Sequence, residues 1–272
     1  MVEILKDHKL LDKRLNLGIE IALQAGYSIW AHWNRWKQSE EKGVRELVTS
    51  ADKNAEAIII DSIAKTFPED SIISEESKPR DGNSGIAWII DPLDGTTNYA
   101  HNNPNFCISI GLVNSNDFQC YCGIVYDPCR RELFSASRGK GCYMNGEPIR
   151  VSKTARLSDS LLAMGYANSA MKNESVKVLG SIEEFSLSSY SIRRGGSIAI
   201  DLAHLAAGRL DGFWHAQVSL WDIVAGIVLI EEARGKVMTL LGDEISRNST
   251  NIVASNGLIH DEMVEITHKI YS

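Results

Sequence analysis

The sequence predicts a mixed α/β fold of stacked layers, and three observations carry that prediction. Before Pro68, apolar residues in two segments recur at three- and four-residue steps, the period of amphipathic helices. Residues 71–144 break into short apolar runs of strand length. From Ser160 onward, strand-like and helix-like runs alternate, an order that suits sheets covered by helices.

In chain order, residues 5–38 read as one long helix, with Leu11, Leu15, Ile19, Ala22, Gly26, Ile29, Trp30 and Trp33 at helical spacing. Trp30, Trp33 and Trp36 form a tryptophan-rich face for packing on the body or on a second subunit. The flanks lack the basic face of a membrane-surface helix. Residues 39–48, with Lys42-Gly43, read as an exposed loop. Thr49 and Ser50 supply N-cap chemistry for a second helix whose buried stripe is Ala55, Ile59 and Ile63, with Pro68 beyond its end. Strand-like runs follow at Ser71–Ile73, Ile86–Ile90, Cys107–Val113, Gln119–Tyr126, Glu132–Ala136 and Gly141–Met144, and Asn145-Gly146 is a hairpin signal. In the second half, strands are expected at Ser160–Gly165, Tyr190–Arg193, Gly212–His215, Lys236–Leu240 and Ile252–Ala254. Helices are expected at 169–184, Ser197–Ala207, Asp222–Ala233 and 258–270, with Gly208 and Gly235 as stops.

Composition narrows the class. At 272 residues the chain forms one large domain or two lobes sharing an interface, and 44% apolar content supports a substantial core. The longest apolar runs, such as Ile58-Ile59-Ile60, fall far short of the ~20 residues of a membrane span. The acidic N-terminus, with Glu3, Asp7 and Asp12, does not resemble a signal peptide, so a cytoplasmic location is expected. A net charge of −7 argues against a protein that coats nucleic acid. It is compatible with an anionic substrate, because bound cations reverse the sign of an acidic pocket. The five cysteines, Cys107, Cys120, Cys122, Cys129 and Cys142, read as reduced thiols. Cys120 and Cys122, two apart in one strand, are read as packing residues on a shared face.

Three acidic elements each end an apolar run or open a helix: Glu75-Glu76, Asp91 with Asp94, and Asp222. Pro92 and Leu93 make a stiff turn able to aim two carboxylates and the Leu93 carbonyl at one point. Gly95-Thr96-Thr97 then supplies backbone N–H groups and hydroxyls suited to phosphate. Two like charges ~4 Å apart repel by about 4 kcal/mol at an effective dielectric near 20, so gathered carboxylates need protons or cations. Hard oxygen ligands suit Mg²⁺. Taken singly, each element reads more simply as an ordinary turn, such as Asp-x-x-Asp, or, for Asp222, a helix N-cap.

Together these residues resemble the inositol monophosphatase family. The matching stretches are Leu47–Asp52, Ser74–Ser77, Trp88–Asn98 and Trp221–Gly226, with weaker matches at Gly139–Gly141, Asn145-Gly146 and Arg193–Ser197. The resemblance covers about residues 10–260. It implies an α/β (α+β) fold, a layered αβαβα sandwich, with an N-terminal metal-binding lobe over about 1–150 and a C-terminal α/β lobe over about 151–272. It implies Mg²⁺, two or three ions per site: Glu75, Asp91 and the Leu93 carbonyl hold the first, and Asp91, Asp94 and Asp222 the second. Asp52 and Thr96, with Glu75, orient and deprotonate the attacking water, with no covalent enzyme intermediate. Leu93, Asp94, Gly95, Thr96, Gly196, Ser197, Ile198, His215 and Asp222 are the implied substrate contacts, and Lys42 matches a loop lysine near the entrance.

One departure stands out. His215 occupies a position, seven before Asp222, where animal members carry a glutamate that grips inositol hydroxyls. A histidine hydrogen-bonds a hydroxyl, attracts a second phosphate when protonated, or simply packs. The expected activity is hydrolysis of a small phosphate monoester, inositol monophosphate first, with fructose-1,6-bisphosphatase and 3′(2′),5′-bisphosphate nucleotidase as alternatives. Trp214 is a candidate adenine slot for the last. A different class, a regulatory binding protein on the phosphatase fold, predicts a missing residue among Glu75, Asp91, Asp94, Asp222, Asp52 and Thr96, and all six are present. The resemblance also implies a homodimer and inhibition by Li⁺; no P-loop pattern is present.

Overall fold

A computed structural model describes residues 8–33, 39–43 and 46–272 of the chain. Helix α1 runs His8–His32, and Trp36 lies outside the described residues. The expected loop at 39–48 is instead strand: β1 (Ser39–Gly43) and β2 (Glu46–Thr49) pair antiparallel, Ser39 opposite Thr49 and Glu41 opposite Leu47. Pairing satisfies backbone groups on both segments, a gain that polar composition did not reveal. The Lys42 side chain lies outside the described residues.

Helix α2 (Ser50–Thr66) buries Ala55, Ile59 and Ile63, the stripe expected of it. Next come β3 (Ser71–Ser74), β4 (Ile86–Asp94), the short helix α3 (Thr96–Ala100), β5 (Cys107–Asn114), β6 (Cys120–Asp127), β7 (Glu132–Ser137), β8 (Cys142–Met144) and β9 (Glu147–Ile149). These strands form one seven-stranded sheet in sequence order. Its β8–β9 turn takes positive φ at Asn145 (50°) and Gly146 (85°), which Asn-Gly tolerates at low cost.

The second half holds β10 (Leu161–Tyr166), α4 (Asn168–Asn173), α5 (Ser175–Ser188), β11 (Ser191–Arg193), α6 (Ile198–Ala206), β12 (Gly212–Ala216), α7 (Leu220–Glu232), β13 (Lys236–Met238), β14 (Asn251–Ser255) and α8 (His260–Tyr271). The single helix expected at 169–184 is two helices, interrupted at Glu174. The five-stranded sheet has the order β11-β10-β12-β14-β13.

Strand alternation divides the core into three parts and stacks the layers as αβαβα. On β4, Ile86, Trp88 and Ile90 pack with Ala22, Ile29, Ile59 and Ile63 beneath α1 and α2. Ala87 and Ile89 face the other way, toward α6 and α7, which fill the space between the sheets. Phe213, Ile252 and Ala254 close that middle core from the five-stranded sheet. The opposite face of that sheet, with Leu162, Trp214 and Val253, is covered by Val178, Phe185 and Met263 from α5 and α8.

Two sequence expectations change here. A β-bulge beside Leu112 and Val113 puts Cys120 in the middle core and Cys122 in the outer one, so they occupy opposite faces. Trp30 is 46% exposed, whereas Trp33 packs edge-on against Phe106 with ring centroids 5.5 Å apart.

Candidate active site

The site forms where β4 ends against the N-termini of α6 and α7. Helix α7 reaches it by lying directly on the sheet. A Cβ at Gly123 would stand 2.2 Å from the Ala225 carbonyl oxygen, and one at Gly111 2.3 Å from Val224. Only glycine admits that approach.

Asp91 is buried at the end of β4, and its Oδ1 accepts from the Leu93 N–H at 3.0 Å. The ladder to β5 shifts between Asp91 and Asp94, which gives Pro92 a place without a lost ladder bond. Asp94 Oδ2 accepts from the Ser197 hydroxyl at 2.6 Å and from the Ala199 N–H at 2.7 Å, with the Cys107 thiol 3.9 Å away. A carboxylate from one sheet therefore caps the positive end of helix α6 over the other. Asp222 is the third residue of α7; its Oδ2 accepts from the Ser219 N–H at 2.7 Å, so Ser219 opens the helix and Asp222 caps back onto it. That replaces the N-cap expectation.

The four carboxylates sense one another. Burial, then the charges of Glu75, Asp94 and Asp222, push Asp91 well above the usual carboxylate range. Asp222 is raised in the same way, by burial and then by Asp94, against the Ser219 N–H. Burial also raises Asp94, although Ser197 and the α6 backbone oppose it. Among the described residues, no group of three or more His, Cys, Asp or Glu side chains is already closed around one point as a cation cage. Asp94 Oδ2 accepts from the Ala199 N–H and Asp222 Oδ2 from the Ser219 N–H, which leaves each carboxylate a second oxygen. Hard, buried, mutually repelling oxygens form a donor set that fits a divalent cation.

Beside this cluster, the Thr96 hydroxyl stands 3.1 Å from Asp52 Oδ1 and 3.1 Å from the Leu93 carbonyl. Its single proton serves one acceptor at a time. Asp52 is fully buried in the first turn of α2. Gly95, at φ 94°, makes the turn into α3, and a Cβ there would meet the Asn105 carbonyl at 2.8 Å.

A cavity of about 160 Å³ opens next to Asp94, lined also by Gly196, Ser197, Ile198, Tyr166, Arg194, Asp201 and His215. Thus Asp94, the three expected substrate contacts at 196–198 and His215 meet in one space. His215 is 6% exposed with Nδ1 unpartnered, and burial followed by the Arg194 charge lowers its pKa to about 3. Burial and the Arg194 charge favour the neutral imidazole, which suits a hydrogen bond to a hydroxyl. Trp214 points to the opposite face of β12, its Nε1 donating to Ser181 Oγ at 3.2 Å, and offers no adenine slot here.

Sequence reasoning passed over three residues. Asp201 is buried in the first turn of α6, its pKa pushed up to about 7 by burial and then by Asp94. Cys107 is held between Asp94 and Ser197. Asn105 joins Asn98 in donating to the Gly195 carbonyl, at 2.9 and 3.0 Å, tying the 193–197 turn to the first sheet. Each sits in an apolar or polar run of no distinctive spacing.

The chain matches the family model described as "Inositol monophosphatase family" over residues 10–272. It is 41% identical to the inositol-1-monophosphatase of Synechocystis over 92% of this chain and 86% of that protein. It is 36% identical to the fructose-1,6-bisphosphatase/inositol-1-monophosphatase of Thermotoga maritima (94% and 96% covered) and 38% identical to the Nus factor SuhB of Escherichia coli (89% and 91%). The structure of an inositol monophosphatase from Anabaena superposes with a TM-score of 0.84 at 38% identity, covering 96% of this chain and 97% of that one. With matches of this extent in sequence and fold, the chain belongs to the inositol monophosphatase family and is a phosphatase.

Proposed function

We propose that the protein hydrolyses a small phosphate monoester with Mg²⁺, myo-inositol monophosphate first, releasing the alcohol and inorganic phosphate. The observation that carries this reading is the convergence of Glu75, Asp91, Asp94 and Asp222 beside the Asp52–Thr96 pair. Glu75, Asp91 and the Leu93 carbonyl would hold one ion, and Asp91, Asp94 and Asp222 a second. Bound there, Mg²⁺ supplies Lewis-acid stabilisation of the phosphoryl oxygens and acidifies water. The chain's residues do the rest. Thr96 accepts a proton from the attacking water while passing its own to Asp52, a direction favoured once the Leu93 carbonyl is engaged elsewhere. The Leu93–Thr96 segment orients the phosphate. Gly196, Ser197, Ile198 and neutral His215 bound the leaving alcohol, and Asp222 completes that wall.

We take the two sheets as one functional unit, with metal ligands mostly on the N-terminal side and the alcohol pocket toward the C-terminal side. A cytoplasmic homodimer inhibited by Li⁺ belongs to the same reading. The Thermotoga relative's double name supports a sugar bisphosphate as the second candidate substrate. The name of the Escherichia coli relative supports a regulatory role beside catalysis. A phosphate-release panel with Mg²⁺ or EDTA tests the proposal, using inositol 1-phosphate, fructose 1,6-bisphosphate, adenosine 3′,5′-bisphosphate and glycerol 2-phosphate. Mg²⁺-dependent release with inositol 1-phosphate ranked first is expected; no release from any of them overturns the enzyme reading.

A further inference from the structure

We propose that Asp201 is a positioning residue for the reaction: with Asn98 and Asn105 it clamps the backbone of Gly195, and the clamped turn keeps the Asp94 carboxylate aimed at the second cation. This rests on the phosphatase reading above and adds to it the device that holds one of the ligands in place.

Asp94 takes its hydrogen bonds from the other half of the chain. The Ser197 hydroxyl at 2.6 Å and the Ala199 N–H at 2.7 Å both reach its Oδ2. Ser197 is itself the N-cap of α6, where its Oγ accepts from the Ile200 N–H at 3.4 Å. The direction of the Asp94 carboxylate therefore depends on where the lead-in to α6 stands relative to β4. One residue of that lead-in, Gly195, is held at both of its polar groups. Its carbonyl accepts from Asn98 at 3.0 Å and from Asn105 at 2.9 Å, on the side of the first sheet. Its N–H donates to the carboxylate of Asp201, in the first turn of α6. The amides are braced in turn: Asn98 Nδ2 also donates to the Asn105 carbonyl at 2.7 Å, and Asn98 Oδ1 accepts from Asn103 at 2.9 Å. Asn98 lies two residues after Thr96 on α3, so one network joins the proton relay, the Gly195 turn and Asp94.

The fit at Gly195 leaves no slack. A Cβ there would stand 2.7 and 3.2 Å from the two Asp201 oxygens and 3.0 Å from Asn105 Nδ2. Both carboxylate oxygens thus crowd the Gly195 backbone, with the Asn105 amide against it as well, and glycine alone admits that approach. Gly196 follows at φ 79°, the left-handed turn that leads the chain into the Ser197 cap. Asp201 is buried, so its backbone hydrogen bond is shielded from competing water. An acid in a first turn that served the helix dipole alone would add to stability and leave Asp94 unaffected. A clamp moves cation affinity instead, because opening it shifts the α6 cap and the two donors that aim Asp94. Hydrogen bonds to charged groups are worth roughly ten- to a hundredfold.

The test follows cation binding by the substrate-free protein and turnover side by side. Mn²⁺, standing in for Mg²⁺, is titrated into wild type, Asp201→Ala, Asp201→Asn, Gly195→Ala and Asn105→Ala, with the EPR signal of the free ion as the readout. Asp201→Ala is expected to weaken the less tightly held ion about tenfold. It should raise the Mg²⁺ half-saturation of inositol 1-phosphate hydrolysis by a similar factor, with kcat at saturating Mg²⁺ within about threefold. Asp201→Asn retains an oxygen for the Gly195 N–H and should recover most of the affinity. Gly195→Ala should show the same loss and add little to Asp201→Ala, since both break one contact. Asn105→Ala opens the other side of the clamp and should weaken the ion in the same direction; it serves where Asp201→Ala does not fold. Unchanged Mn²⁺ affinity in Asp201→Ala or Asn105→Ala, whatever the melting temperature, overturns the inference. So does an Asp201→Asn loss equal to that of Asp201→Ala, which assigns the effect to charge, or a Gly195→Ala loss that adds in full. Weakened Mn²⁺ binding that Asp201→Asn restores, in a protein whose wild type turns over no phosphate monoester, would sink the phosphatase reading alone.

Discussion

Asp52→Asn separates proton transfer from everything else in the site. Asp52 is fully buried, and its Oδ1 stands 3.1 Å from the Thr96 hydroxyl. Asparagine keeps the side chain's size and an oxygen that accepts from Thr96, so the local geometry persists while the base is lost. A positioned base contributes about 10²–10⁴ in rate, equivalent to roughly 2.7–5.5 kcal/mol on the barrier. Asp52 is not among the charges that raise Asp91 or Asp222, so the cation-binding carboxylates are left untouched. The assay is initial-rate phosphate release against Mg²⁺ concentration, with the Mg²⁺-dependent rise in melting temperature followed on the same samples. The expected outcome is a kcat lowered at least ~100-fold, a KM and Mg²⁺ half-saturation within about threefold, and an intact thermal shift. Thr96→Val should cost a similar factor, and the double variant little more, because the two act as one relay. A loss smaller than tenfold in Asp52→Asn, with Mg²⁺ still bound, would refute the relay.

Three further outcomes follow from the packing and charge. Asp91 and Asp222 have folded-state pKa values above the ordinary carboxylate value, and Asp201 about 7, so the metal-free folded state binds more protons than the unfolded one. Their contribution to stability is therefore present below pH 3.8 and lost as pH rises toward 7 and beyond; urea titrations in EDTA and in Mg²⁺ should diverge across that range, and parallel curves would refute the carboxylate account. Asp70 is buried and accepts from Arg14 twice at 2.7 Å, from Trp88 Nε1 at 2.9 Å and from Ser84 at 2.7 Å. Asp70→Ala strands the Arg14 charge, which costs about 3–5 kcal/mol and lowers Tm by roughly 6–20 °C, measured calorimetrically; Arg14→Met added to Asp70→Leu should recover most of it. Gly123→Ala forces a methyl into the Ala225 carbonyl; overpacking of about 1–3 kcal/mol should displace α7 and raise the Mg²⁺ half-saturation through Asp222, read by the same thermal shift.

How much of this was legible in sequence depended on whether the signal was local. The buried stripe Ala55-Ile59-Ile63, the strands flanking Asn145-Gly146 and the Asp91–Thr96 turn were readable because period, turn chemistry and motif are written in neighbouring residues. So were the residues of the carboxylate cluster and the Asp52–Thr96 pair, although their roles came from family resemblance and not from spacing. Other features required distant segments to meet. The β1–β2 hairpin exists because two polar segments satisfy each other's backbone. A one-residue bulge sends Cys120 and Cys122 to opposite faces. Alternation along β12 turns His215 into the cavity and Trp214 away from it, a choice set by which sheet face meets α6 and α7. Sequence by itself determined the layered α/β class, the acidic chemistry and the family. Tertiary structure alone decided that Asp94 caps a helix from the other half of the chain and that His215 is buried in the cavity beside it, because burial and long-range contacts set these properties and neither is a property of a local run of residues.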